Sequence, residues 1–139
     1  MLLNQRVDCA VRLMVDLARL SESWTTVREV ARRQDVPEPF MAEIVTQTVA
    51  AGLVTTRRGT GGGLAIAKAA DSINLLEVMK VVEHPLTLAK CTFEPSRCPL
   101  SNRCAVHPVL EKLQKQLEEV LAQTALSELA QAQEELLSC

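Results

Sequence analysis

Apolar residues recur at helical spacing near the start of the chain. In the segment QRVDCAVRLMVDLARL, residues 5–20, they fall on one side of a helix and the charged residues fall on the other. The pattern therefore predicts a first helix over residues 5–20. The apolar side comprises Val7, Val11, Met14, Val15 and Ala18, and the charged side comprises Asp8, Arg12, Asp16 and Arg19. On this pattern alone Asp8 is a solvated acid at the helix start, and Cys9, beside the apolar side, is a small buried residue.

Capping and proline signals predict two short helices in the next segment. Residues 26–29, TVRE, match the S/T-x-x-E capping box, which predicts a helix over residues 27–34. Pro37 and Pro39 form a tight corner, because each proline disfavours helical backbone in the residue before it. A third helix is expected over residues 40–51. Two helices joined by such a corner indicate a helix-turn-helix unit or a generic helical hairpin.

A glycine-rich hairpin follows the third helix. The β-prone segments 53–57 and 64–67 flank the sequence RGTGGG, which holds four of the five glycines of the chain. A hairpin with arginines at its base, directly after a helix-turn-helix, is typical of a winged helix. The glycines could instead belong to a phosphate-binding loop, but no G-x-x-x-x-G-K-[ST] and no G-x-G-x-x-G opening a helix is present, which makes that interpretation the weaker one.

A group of soft metal ligands lies between two later helices. The segment LLEVMKVVEH predicts a fourth helix, which ends at Pro85. Residues 90–108, KCTFEPSRCPLSNRCAVHP, then have the spacing C-x6-C-x5-C-x2-H, and prolines interrupt any regular element between the ligand candidates. Thiolates together with an imidazole suit an iron–sulfur cluster, zinc or copper(I) rather than calcium or magnesium. The candidate ligands are Cys91, Cys98, Cys104 and His107.

A long amphipathic helix is expected after Pro108. Apolar residues keep a three-four spacing from Val109 to Val120, which predicts about four turns or more. A monomer of 139 residues can hardly cover that stripe, so we consider dimerisation and, alternatively, packing across its own domain. The final segment, SELAQAQEELLSC, is expected to extend this helix or to fray, and Cys139 is expected to be a free thiol.

Composition and charge narrow the class of protein. The 139 residues are 47% hydrophobic but include only two Phe, one Trp and no Tyr, so aliphatic residues must form the core. Residues 1–70 carry nine Lys/Arg against seven Asp/Glu, and residues 71–139 carry six against ten, so the N-terminal half is favoured to face phosphates. With no visible export signal and no run of 18 apolar residues, we expect a cytoplasmic, reducing location and no membrane association. Five cysteines in that setting favour metal or redox chemistry over a disulfide framework.

These patterns predict a mainly α chain with a small β-hairpin wing, in which a winged helix-turn-helix domain is joined to a long dimerisation helix. We expect a DNA-binding domain at residues 1–84, a cysteine-rich loop suited to an iron–sulfur cluster or a soft metal ion at 85–107, and a helix suited to dimerisation with a C-terminal tail at 108–139. The sequence has no evident nucleophile–base pair and no cofactor-binding loop, so we do not expect an enzyme.

Three segments resemble the Rrf-two family of bacterial winged-helix transcriptional regulators, the IscR, NsrR and RirA type. They are DCAVRLMVDLA in the first helix, AGLVTTRRGTGGGLAIAKAADSINLLEV around the wing, and C-x6-C-x5-C-x2-H. The resemblance covers about residues 4–125. It implies a homodimer that binds a pseudo-palindromic operator in double-stranded DNA as a repressor. It also implies a response to iron, redox state or nitric oxide.

The resemblance further implies that Cys91, Cys98 and Cys104 bind a 2Fe–2S or 4Fe–4S cluster next to the dimer interface. In some relatives the fourth ligand is the histidine three residues after the third cysteine, which is His107 here. In others it is an acid in the first helix of the other subunit, and Asp8 stands at that position. Both residues are present, and the first gap of six residues, where relatives commonly have five or seven, leaves the subtype open. Cys9 replaces the tyrosine that usually follows that acid.

The DNA-contacting residues are predicted from the winged-helix arrangement. The third helix is expected to enter the major groove, with Glu43, Thr46 and Gln47 as candidate base or backbone contacts. Arg58, at the base of the wing, is the candidate for the minor groove. Further phosphate contacts are expected from Arg57 and Thr60 in the wing and from Arg28, Arg32 and Arg33 in the second helix.

Two alternatives for the cysteine loop remain. The first is a closed Cys3His structural zinc site in a constitutive DNA-binding module. The second is a metal-free thiol switch, in which oxidation to a disulfide changes the affinity for DNA.

Overall fold

The computed structural model describes residues 4–139. The first helix, α1 (Gln5–Leu20), agrees with its predicted range and packs against elements from both ends of the chain. Asn4 caps it, since the Asn4 side chain accepts a hydrogen bond of 3.0 Å from the Val7 amide. Its inward side buries residues such as Leu13, Met14 and Leu17. Residues 1–3 of the predicted first domain lie outside the described residues.

The predicted helix-turn-helix is present. It comprises α2 (Val27–Arg33) and α3 (Glu38–Ala50). The capping box is confirmed, because the Thr26 side chain accepts from the Glu29 amide while the Glu29 carboxylate accepts from the Thr26 amide. The inward side of α3 buries Met41, Ile44, Val45 and Thr48, which fixes the side of the helix that faces outward.

The wing is a two-stranded antiparallel hairpin of β1 (Val54–Arg57) and β2 (Gly63–Ile66), with Val54 opposite Ile66 and Arg57 opposite Gly63. Thr25 adds a bridge to β2, with hydrogen bonds of 3.0 and 2.7 Å to Leu64. Gly63 has φ +136°, and a Cβ there would lie 1.9 Å from the Thr25 carbonyl oxygen. Only glycine allows this close approach of the wing to the segment before α2.

The second half of the chain contains four helices and several short 3-10 turns. The helices are α4 (Leu75–Val82), the single-turn α5 (Lys90–Phe93), α6 (His107–Gln123) and α7 (Leu126–Leu137). The turns are Ala70–Ser72, Pro95–Arg97 and Ser101–Arg103. Asn74 caps α4 as its side chain accepts from the Glu77 amide at 2.9 Å. Within residues 4–139, no helix is long and apolar enough to cross a membrane.

The prediction that the final segment extends the long helix or frays is wrong. The chain leaves α6 at Thr124, whose carbonyl accepts from the Leu75 amide at 3.0 Å, and the Leu126 amide donates to Ile73 at 2.8 Å. The long helix therefore ends there, and α7 is a separate helix that packs against α1. Leu126 is fully buried in the same core as α1 to α4. The C-terminal helix is therefore part of the structure that supports the helix-turn-helix.

Two apolar clusters hold these elements together. The larger joins α1, α2, α3, the wing, α4 and α7. The smaller consists of Val7, Met79, Leu86 and Leu121, with Leu117 packed against it. It lies where α1, α4 and α6 meet the segment that leads into the cysteine loop. The loop is thus attached through apolar contacts to the same helix, α1, that supports the helix-turn-helix.

A buried carboxylate links the elements around the larger core. Asp16 was predicted on the charged side of α1, but its side chain is 1% exposed. Its Oδ2 atom accepts from Nη2 of Arg33 at 2.7 Å, and its Oδ1 atom accepts from Nη1 of Arg19 at 3.3 Å. Arg33 also donates to the Thr25 hydroxyl at 3.0 Å, and Arg19 pairs with Glu134 of α7 at 2.9 Å. One carboxylate thus connects α1, α2, the wing bridge and α7.

Replacement of Asp16 by alanine is expected to lower the free energy of unfolding by about 3 kcal/mol, at the lower end of values for a broken buried ion pair. The lower end applies because the Arg33 side chain is 32% exposed and can reach water once its partner is gone. Asp71→Ala, on an exposed turn, is the control and should stay within about 0.5 kcal/mol of the wild type. Urea unfolding at one fixed protein concentration measures both. A loss below about 1 kcal/mol for Asp16→Ala would show that this network does not hold the fold together.

Candidate DNA interface and cysteine loop

The outward side of α3 carries the three residues that were predicted to face DNA. Glu43 and Thr46 are exposed and Gln47 is half-buried, because the buried residues of α3 direct the opposite side into the core. The Thr46 hydroxyl donates to the Ala42 carbonyl at 2.9 Å. The carboxylate of Glu43 and the amide of Gln47 are thus polar groups on the outward side of the helix.

Sequence reasoning missed one contact of this surface. Arg6 of α1 donates from Nη1 to Glu43 at 3.1 Å and from Nη2 to Gln47 at 2.8 Å. Its guanidinium also lies 5.9 Å from the centre of the Phe40 ring. The spacing of Phe40, Glu43 and Gln47 places them on one side of a helix, but nothing in the sequence indicates that a residue about forty positions earlier contacts them.

The two arginines of the wing have different surroundings. The Arg57 guanidinium donates from Nε to the Gly61 carbonyl at 3.0 Å and lies 4.1 Å from the centre of the Trp24 ring. These contacts brace the hairpin against the segment before α2. Arg58, predicted at the base of the wing, lies instead with Thr60 in the loop between β1 and β2, and both are exposed. Within the described part of the chain, the Arg58 side chain makes no hydrogen bond or ion pair, so its charge is available to a ligand.

The three arginines of α2 also differ. Arg28 and Arg32 are exposed and point to solvent, whereas Arg33 holds Asp16 and Thr25. The structure therefore gives Arg33 a role inside the fold that the sequence did not predict. Hydrogen bonds from the Thr25 hydroxyl and the Thr26 amide, assisted by the positive charge of Arg33, lower the pKa of Glu29 from its ordinary value. Glu29 is thereby kept ionised as the acceptor of the capping box.

The cysteine loop is a series of single turns. Cys91 lies on α5, Cys98 directly follows the turn Pro95–Arg97, Cys104 follows the turn Ser101–Arg103, and His107 begins α6. All three thiols are free and half-buried.

Gln114 of α6 fastens the segment that enters the cysteine loop. Its side chain donates to the Leu86 carbonyl at 2.9 Å and accepts from the Leu88 amide at 2.8 Å. The entry of the loop is thus tied to the helix that begins at its exit.

The chemistry of these side chains fits an iron–sulfur cluster or a zinc ion. Three free thiols supply soft ligands, and Nδ1 of His107 is buried without a hydrogen-bond partner in the structure. The other ring nitrogen, Nε2, lies 3.5 Å from the Glu111 carboxylate. Among residues 4–139, no three His, Cys, Asp or Glu side chains are close enough together to hold a metal ion. Binding would therefore require the turns of the loop to draw their ligands together.

Asp8 lies apart from these ligands in the single chain. Its exposed carboxylate pairs with Nε of Arg12, one turn along α1, at 3.1 Å. The neighbouring Cys9 is buried as predicted, and this burial, with the negative charge of Asp8, raises the pKa of its thiol, while Arg12 partly opposes the shift. Cys139 is exposed at the C-terminus.

One side of α6 exposes apolar residues to solvent. Val109, Leu113 and Val120 are 55%, 46% and 62% exposed, and Val106 precedes them on the same side. Phe93 and Leu100 of the cysteine loop are also more than half exposed. An apolar stripe of this length on a helix of about 25 Å is a feature of surfaces that bind another chain.

Comparisons with known proteins agree with this architecture. The family model described as Rrf2, iron-dependent transcriptional regulator, matches residues 3–132. The chain is 33% identical to Protein aau3 of Rhizobium meliloti (strain 1021) over 98% of this chain and 89% of that protein. It is 29% identical to the regulator IscR of Erwinia tasmaniensis, over 96% of this chain and 81% of that protein. It is 27% identical to the regulator NsrR of Bacillus licheniformis, over 98% of this chain and 96% of that protein.

Two solved structures show the same fold. The structure of T. potens IscR has a TM-score of 0.77 and 26% identity, covering 98% of this chain and 90% of that one. The structure of CymR, the global cysteine regulator of B. subtilis, has a TM-score of 0.75 and 22% identity, covering 95% and 98%. The predicted mainly helical winged-helix fold is confirmed by these likenesses. With the family match across nearly the whole chain, they show that this protein belongs to the Rrf2 family of DNA-binding, winged-helix transcriptional regulators, which are not enzymes.

Proposed function

We propose that the chain acts as a homodimeric repressor whose affinity for a pseudo-palindromic operator depends on an iron–sulfur cluster held by the cysteine loop. The observation that carries this proposal is the position of the loop. It joins the half of the chain that contains the helix-turn-helix to α6, and its entry packs into the cluster formed by Val7, Met79, Leu86 and Leu121. A change in the loop therefore acts on residues that contact both α1 and α6.

The DNA-binding surface combines α3, the wing and the exposed arginines of α2. The outward side of α3 suits the major groove, where Glu43, Thr46 and Gln47 meet base edges or backbone. Arg58 and Thr60 at the wing tip suit the adjacent minor groove and its phosphates. Arg28 and Arg32 supply further phosphate contacts, whereas Arg57 acts by holding the hairpin in shape.

Dimerisation through α6 is supported by its exposed apolar side. Val109, Leu113 and Val120 have no covering element within the described residues. Phe93 and Leu100 extend the apolar surface from α6 onto the cysteine loop. A two-fold axis along this surface would place the loops beside the interface, and a ligand role for Asp8 requires its exposed carboxylate to reach the loop of the other chain there. The dimer would also present two recognition helices to successive turns of one side of the DNA.

The cluster would be held by the thiolates of Cys91, Cys98 and Cys104, with either His107 or Asp8 of the partner as the fourth ligand. When bound, such a cluster supplies one iron with an oxygen or nitrogen ligand. Because that ligand is displaced more readily than a sulfide, nitric oxide or oxygen would attack this iron first, and it would be the first iron lost. The chain supplies the rest. The three thiols are half-buried, which would limit the access of solvent to the cluster. The turns of the loop would draw together when the cluster binds and relax when it is lost. Binding or loss of the cluster would thus move the entry segment of the loop, whose Leu86 is hydrogen-bonded to Gln114 and packed against Val7 and Leu121.

The wing assignment is tested by Arg58→Ala. Removing one minor-groove cation should weaken operator binding about fivefold to tenfold and reduce the slope of log affinity against log salt by about one. Lys115→Ala, on the solvent side of α6, removes the same charge far from the wing and is the control. Fluorescence anisotropy across a salt series measures both quantities. An unchanged affinity and slope for Arg58→Ala would remove the wing from the DNA interface.

The cluster assignment is tested by metal and sulfide content after anaerobic purification. We expect iron and acid-labile sulfide in the wild type, most of which is lost in each of Cys91→Ser, Cys98→Ser and Cys104→Ser. Cys139→Ser, a free thiol outside the loop, should keep the full content. Absorption and Mössbauer spectra of Asp8→Ala and His107→Ala identify the fourth ligand, because only loss of the true ligand changes the iron environment. One zinc per chain would select the structural zinc site, and full peroxide-reversible DNA regulation without metal would select the thiol switch.

A further inference from the structure

We infer that Arg6 is a positioning residue for DNA recognition, which fixes the two polar side chains of α3 that read the operator. The inference rests on the proposed DNA-binding role of α3. It names a residue of α1, outside the helix-turn-helix, as a determinant of sequence specificity.

The geometry of the Arg6 guanidinium carries this inference. Its two Nη atoms bind different side chains, Glu43 at 3.1 Å and Gln47 at 2.8 Å, which lie one turn apart on the exposed side of α3. Phe40, one turn earlier, lies beneath the same guanidinium at 5.9 Å. The planar fork of arginine can hold both partners at once, whereas the single ammonium of lysine cannot reproduce that pair of contacts.

The consequences for DNA reading follow from the chemistry of the two partners. Arg6 donates to the Oε1 atom of Gln47, which fixes the orientation of the side-chain amide. The Nε2 group then has one orientation in which to donate to a base edge. The contact with Arg6 also holds the Glu43 carboxylate, whose side chain is 65% exposed, in one position on the outward side of α3. Arg6 itself is 35% exposed, so most of its surface is occupied by these contacts with the protein. Its predicted effect is therefore on which sequence is bound, through Gln47 and Glu43.

The test uses selection from a library of duplexes with a randomised core of about 25 base pairs (a length chosen to span two half-sites about one turn apart) on the full-length protein. The wild type should enrich one pseudo-palindrome. Arg6→Ala should still bind the library, but its preference at the base pairs read by α3 should fall about fivefold, the size of one hydrogen bond to a base. Gln47→Ala should lose preference at the same base pairs. The double variant should lose little more, because each single change already removes the same Arg6–Gln47 contact. Gln5→Ala, an exposed neighbour on α1, should enrich the wild-type sequence.

The conservative variant separates positioning from charge. Arg6→Lys keeps the charge but lacks the planar fork, so it should lose the sequence preference while keeping the salt dependence of the wild type. It also carries the test if Arg6→Ala fails to fold. If Arg6→Ala weakens binding to all sequences equally and lowers the salt slope by about one, Arg6 contacts phosphate directly and the inference is wrong. Full sequence preference in Arg6→Lys would overturn the inference as well, because a positive charge alone would then be sufficient. If the wild type itself enriches no sequence, the proposed function fails before the role of Arg6 is reached.

Discussion

The ion pair between Asp16 and Arg33 is the interaction on which the arrangement of the DNA-binding half depends. Asp16 is a buried charge on α1, and it is compatible with the core only because Arg33 of α2 and Arg19 of α1 both donate to it. Arg33 extends the contact to Thr25, which bridges to β2, and Arg19 extends it to Glu134 of α7. One carboxylate therefore links the helix-turn-helix, the wing and the C-terminal helix to α1.

The first helix connects this scaffold to both candidate sites. At its N-terminal end, Arg6 contacts α3 on one side, while Asp8, two residues later, points to solvent on the other. Between them Val7 packs with Leu86 and Leu121, at the entry of the cysteine loop and on α6. A shift of the loop or of α6 would therefore act on the start of α1 through these packed side chains, and Arg6 would carry it to the side chains of α3. Such a link provides a physical route for coupling between a cluster and DNA, with α1 as the shared element.

Most of the fold followed from local signals in the sequence. The period of the apolar residues gave α1 its correct limits, the capping box placed α2, and the four glycines placed the tip of the wing. The failures were long-range. Asp16 has the helical position of a surface residue, and only the proximity of Arg33, seventeen residues later, makes its burial possible. The segment that forms α7 carries no local signal of where it packs. Its return to α1 depends on the bonds of Leu126 and Thr124 with residues about fifty positions earlier. In the cysteine loop the sequence indicates the ligand chemistry, but ligands from two chains cannot be assembled from the pattern of one.

The central claim is that the state of the cysteine loop changes the affinity for DNA. It is tested most directly by measuring the dissociation constant for one selected operator duplex under anaerobic conditions. The protein is measured first with its cluster and then after removal of iron by a chelator, at one salt concentration. The account predicts affinities that differ by about 5-fold to 150-fold, the range of ordinary coupling energies. Equal affinities of the two forms would contradict it.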